Sequence, residues 1–133
     1  MNFKELVQST TDILQTEFSY DESKSVYSLR IGFAGNPDEI VNVYQDVFEN
    51  EDDGISKKII VCECLVRKYN DSMNLLEISK SNNDLFFSRV YISEDDKILI
   101  ESCIFMEILD SLNLSAVINE IAQHSNYLKE QVI

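Results

Sequence analysis

A chain of 133 residues with 44% apolar and 26% charged side chains has the make-up of one soluble globular domain, long enough to bury roughly two-thirds of its unfolded surface without disulfide or metal. Its 24 acidic and 11 basic side chains give a formal net charge of −13, and the largest basic clusters are the pairs Lys57-Lys58 and Arg67-Lys68. Such a surface repels phosphate backbones and anionic membranes, so the expected partners include no nucleic acid and no membrane, and cationic partners are favoured.

The first element is a helix from about residue 3 to Phe18, with Phe3, Leu6, Val7, Ile13, Leu14 and Phe18 on one stripe and Asn2 and Glu5 placed as a capping box. Ser19 to Ser25 is polar and reads as a loop. Val26 to Phe33 alternates, with Tyr27, Leu29, Ile31 and Phe33 on one face, and this predicts a half-buried strand. Ala34-Gly35-Asn36-Pro37-Asp38 has the chemistry of a turn. A second strand, Ile40 to Phe48, carries Val41, Val43 and Val47 on one face and Ile40, Tyr44 and Phe48 on the other. A strand apolar on both faces is central or faces a partner.

After the acidic loop Asn50-Glu51-Asp52-Asp53-Gly54, Ile59 to Val66 is a nearly continuous apolar strand. Asn70-Asp71-Ser72 then caps a short helix bearing Met73, Leu76 and Ile78, which Ser81-Asn82-Asn83-Asp84 stops. Leu85 to Met106, LFFSRVYISEDDKILIESCIFM, sets two apolar runs around Ser93-Glu94-Asp95-Asp96 and predicts a hairpin. A last helix with the stripe Leu114, Val117, Ile118, Ile121 and Leu128 closes the chain. The order α-β-β-β-α-β-β-α predicts a single α+β domain over residues 1–133, an antiparallel sheet of five strands covered by helices.

Reactive groups are sparse. His124, the one histidine, lies on the last helix with no serine or cysteine beside it in a nucleophile motif. Cys62 and Cys64 share one face of a buried strand, but a tetrahedral metal site needs about four ligands and only Cys103 and His124 remain. The acidic loops lack the spacing of a calcium loop, and no glycine-rich phosphate cradle occurs. No catalytic residue, metal ligand or cofactor is therefore expected. The odd number of thiols, the polar start Met1-Asn2-Phe3-Lys4-Glu5 and the lack of an apolar run near about 18 residues predict a reduced, cytoplasmic protein. What is left over is apolar surface, and the candidate contacts to a partner or a second copy are Val41, Val43, Tyr44 and Val47, with Met73 and Leu76 as a second seam.

From Asn70 to about Leu128, the polar-capped helix leads through Ser81-Asn82-Asn83-Asp84 into the FFSRVYI strand, the Asp95-Asp96 turn and the ILIESCI strand. In this element order, and in its size and acidity, the chain resembles the type III secretion chaperone-like fold, which includes the Tir chaperone-like effector chaperones and the YbjN family. The resemblance implies a homodimer without enzymatic activity. In the chaperone branch it would hold a protein partner, an unfolded secretion substrate segment, through apolar grooves and added strands. In the YbjN branch it would be a regulatory protein acting through a stable protein complex or a small ligand. One departure is Ser79 to Asp84, which has no glycine where effector chaperones often carry glycine-rich connections.

Overall fold

Asn2 starts the first helix: its side-chain oxygen accepts the Glu5 amide at 2.8 Å, satisfying one of the free donors at the helix start, and α1 runs Phe3–Leu14. The structure is a computed structural model describing residues 1–133. The helix is shorter than its apolar stripe predicts. Gln15 turns into the left-handed region at φ 55°, and the amide of Thr16 closes on the Thr11 carbonyl at 3.1 Å. Phe18 then opens a strand, because its ring fills a place against Tyr27 with centroids 5.2 Å apart and its backbone pairs with Leu29.

That strand, β1 (Phe18–Asp21), corrects the reading of Ser19 to Ser25 as loop and raises the strand count from five to six. It pairs with β2 (Val26–Phe33), and a two-residue turn at Ala34 and Gly35, the latter at φ 80°, leads to β3 (Asn36–Asn50). Pro37 lies inside β3 rather than in the turn. The register shifts between Ile31 and Phe33. Across the acidic turn ending at Gly54 comes β4 (Ile55–Lys68). The first β3–β4 pair is Asn42 with Glu63, so Pro37 sits on a stretch of β3 that β4 does not pair.

The short helix is α2 (Leu75–Lys80), capped by Asn74 and continued as a 3-10 turn through Asp84. The hairpin forms around Ser93 to Asp96, with β6 (Lys97–Phe105) as its pattern predicts and β5 (Arg89–Ile92) shorter than the predicted FFSRVYI strand, because Phe86 to Ser88 leave the sheet. Asp110 caps α3 (Ser111–Gln131) by accepting the Asn113 amide at 2.7 Å. The sheet is antiparallel in the order β1-β2-β3-β4-β6-β5.

All three helices lie on one side of this sheet. Leu114, Val117, Ile118, Ile121 and Leu128 of α3 are fully buried against Leu29, Val41, Val43, Ile60, Cys62, Ile98 and Ile100, with Leu6 and Val7 of α1 and Ile78 of α2 joining the same core. Each large side chain so buried is worth about 1.5–3 kcal/mol. No helix covers the opposite side of the sheet.

Candidate functional site

Two zones keep apolar side chains in water after this core is complete. The first is the α2–β5 edge, where Leu75, Leu76, Phe86 and Phe87 are exposed, Phe86 to 92%. This knob is held rather than loose. The Glu120 carboxylate of α3 accepts the amides of Phe86 at 2.5 Å and of Phe87 at 3.0 Å, and Ser102 donates to the Phe87 carbonyl at 2.7 Å. Beside it, the Asn82 side chain accepts from the Val90 amide at 2.7 Å and donates to the Val90 carbonyl at 3.0 Å, which caps that stretch of the free edge of β5.

The second zone is the far half of the β3–β4 hairpin. The last pair of β2 with β3 at this end is Tyr27 with Val43, and the last pair of β6 with β4 is Phe105 with Ile59. Beyond these residues the hairpin continues as a two-stranded ribbon, and the outer edge of β3 from Tyr44 to Asn50 pairs with no strand. Val47, Phe48, Ile55 and Phe105 are exposed there, and Phe48 meets Phe105 edge to face at 6.0 Å. A shallow groove of about 590 Å³ runs between this ribbon and the start of α1, lined in part by Phe3, Tyr20 and Val47.

The structure separates the candidate residues drawn from the sequence. Tyr44 is half-buried on the uncovered sheet face and Val47 is exposed on the ribbon. Val41 and Val43 have no accessible surface and lie under α3, so the reading of these two as contact residues is corrected to core. The reason is alternation: they project to the helix-covered side, and Val47 shares that side but lies past the end of the helical layer. Of the second pair, Leu76 is exposed and Met73 is half-buried against the core. Sequence reasoning missed Phe86 and Phe87 as surface residues, since an aromatic run beside a strand reads as core.

Polar groups that resemble reactive ones are tied into structure. His124 is buried, and its Nε2 lies 2.9 Å from the Ser81 hydroxyl. Ser81 already donates to the Ile78 carbonyl at 2.6 Å, so the imidazole donates to Ser81. Burial holds its pKa below the usual histidine value, against the opposing pull of Asp84 and Glu120. Burial also pushes the Cys62 thiol up to about 12 and the Cys64 thiol up to about 11. No group of three or more His, Cys, Asp or Glu side chains is arranged to hold a metal ion. No helix is long and apolar enough to cross a membrane.

Three helices on one face of a six-stranded antiparallel sheet define an α+β fold shared with type III secretion chaperones. A solved structure with this fold is the Yersinia pestis type III secretion chaperone SycH, crystallised in complex with a stable fragment of YscM2; it is 15% identical, with a TM-score of 0.58 over 96% of this chain and 99% of that one. No family model and no curated protein matches the sequence.

Proposed function

We propose that this chain is a non-enzymatic protein-binding module, a chaperone-like homodimer that holds an extended segment of a partner polypeptide. The observation that carries the reading is the α2–β5 edge, where Leu76 of α2 is 62% exposed and Phe86 is 92% exposed on a turn whose amides Glu120 holds. A pair of phenylalanines fixed in water is costly to keep in a monomer, and the same patch on a second copy would cover both. The free edge of β3 from Tyr44 to Asn50, with Val47 and Phe48 beside it, offers the partner backbone hydrogen bonds and side-chain pockets. The fold similarity to a chaperone solved with a fragment of another protein supports the same class of use.

Size-exclusion chromatography with light scattering tests the reading. The expected mass is twice the 15.3 kDa of one chain, and Leu76→Glu with Phe86→Ser returns it to one chain while the circular dichroism spectrum is kept. A wild-type monomer at high concentration would overturn the dimer. Copurification with a folded partner, in place of an extended segment, would move the assignment to a regulatory protein of the YbjN kind.

A further inference from the structure

The side of the sheet that no helix covers is striped. Leu65, Leu99 and Tyr91 lie in one row across β4, β6 and β5; Asn42, Glu63, Glu101 and Arg89 lie in the next; Tyr44, Val61 and Cys103 follow. A row of charge thus runs between two rows that are mostly apolar. Within it Glu101 is fully engaged, with Arg89 at 3.5 Å on one oxygen and the Tyr91 hydroxyl at 3.1 Å on the other. Glu63 stands directly opposite Glu101 and takes part in none of the chain's ion pairs or side-chain hydrogen bonds. Of the cations on this face, Arg89 also stacks on Tyr91 at 4.9 Å, Lys57 pairs with Glu107 and Lys97 with Asp95, each at 3.0 Å, and neither Arg30 of β2 nor Lys68 at the far end of β4 forms an ion pair with Glu63. Two carboxylates facing each other across a strand pair repel, so one of them is left without its counterion.

We propose that this uncovered sheet face docks an amphipathic helix of a partner polypeptide with a basic residue set in its apolar stripe, the cation seating on Glu63 between the flanks formed by Leu65 and Tyr44. The inference rests on the protein-binding reading and gives it a partner chemistry. The occupant is helical because a sheet face offers no backbone donors or acceptors; an extended chain lying across it would leave its own amides unpaired, whereas a helix satisfies them internally. The spacing agrees. Successive rows on one face of a strand lie about 6.7 Å apart, and helix residues four apart rise about 6 Å, so residues i, i+4 and i+8 of a helix meet three successive rows. Leu65 at 52% exposure and Phe105 at 40% supply apolar area at either end, and the net charge of −13 favours a basic partner at long range.

The test uses the whole chain, labelled with ¹⁵N, and a synthetic amphipathic peptide of about five helical turns with leucine, arginine and leucine at i, i+4 and i+8. The expected result is a set of amide shift changes at Tyr44, Glu63, Leu65, Glu101 and Phe105. Binding should weaken about tenfold or more when the peptide arginine becomes glutamate, and by a similar factor in Glu63→Lys. Glu63→Gln keeps the shape and removes only the charge; its binding should fall between the two, with the spectrum of a folded chain. No binding, equal binding of both peptides, or indifference to Glu63→Gln overturns the proposal. Shift changes confined to the α2–β5 edge or to the free edge of β3 overturn it too, and leave the protein-binding module standing. A monomer by light scattering that still binds through Glu63 removes the dimer and keeps this site.

Discussion

Lys129 of α3 places its ammonium 2.9 Å from the carboxylate of Glu39 on β3, ninety residues earlier in the chain. Glu39 is almost entirely buried and accepts as well from the Ser125 hydroxyl at 2.6 Å, with the Cys64 thiol 3.8 Å away. The network fixes the last turns of α3 against the start of β3, alongside the apolar contacts of Leu128 and of Val132 and Ile133 just past the helix.

Removing one member of a buried pair leaves the other charged and dry, a cost of about 3–5 kcal/mol. Lys129→Met should lie near the low end, at about 3 kcal/mol, because Lys129 keeps part of its side chain in water. The double variant Glu39→Leu/Lys129→Met should recover most of that loss. Urea denaturation of the four proteins of this cycle measures the coupling, and purely additive losses would show that the pair contributes no net stability.

His124 makes stability depend on pH. Its pKa is lowered in the folded chain, first by burial, so the unfolded chain takes up the proton more readily. The neutral imidazole stabilises the fold fully above the unfolded value of about 6.5, and that contribution is lost as pH falls below it. Thermal melts should show stability dropping as pH falls below about 6.5, with a slope of at most about 1.4 kcal/mol per pH unit from this group. His124→Gln can keep a donor toward Ser81 without the titration and should flatten that window. An unchanged slope would assign the drop to the carboxylates.

The parts of the fold legible in the sequence are those whose signal is local. β2 forms on its predicted bounds, β6 forms within the apolar run that predicts it, and α3 spans the whole predicted stripe, whereas β5 is cut to Arg89–Ile92 because Phe86 and Phe87 are drawn out of the strand by Glu120. Phe18 reads as helix because it continues the stripe of α1, and its contact with Tyr27, nine residues on, makes it strand instead. The exposure of the candidate contacts is only half legible. Val41 and Val47 are chemically the same residue on the same strand face, and they differ only in whether α3 extends over them, which no local pattern encodes. Phe86 was concealed for a related reason: its exposure depends on Glu120 pinning the turn from another element.

Glu63 faces Glu101 across β4 and β6 without a cation of its own, and burial followed by that neighbour raises its pKa. A raised carboxyl stabilises the fold when protonated, and the advantage is lost as pH rises from the unfolded value toward the folded one. Glu63→Gln should therefore stabilise the chain at pH 7 by about 0.2–1 kcal/mol, the range for relieving a like-charge cross-strand pair. The gain should vanish below about pH 4, where the native side chain is protonated as well. Chemical denaturation at both pH values measures it, and an equal gain at both would trace the effect to packing rather than charge.

The three thiols should separate cleanly by reactivity. Cys62 and Cys64 point into the helix-covered core, and their high pKa values leave almost no thiolate at pH 8. Cys103 lies on the uncovered face, exposed, with its own pKa raised by partial burial and then by Glu101. A disulfide reagent at pH 8 should therefore modify one thiol per folded chain, more slowly than a free cysteine, and all three in denaturant. Two rapid equivalents in the folded chain would mean that β4 opens locally. Glu101→Gln removes the adjacent charge and should speed the single reaction, whereas a change confined to accessibility would leave its pH midpoint where it was.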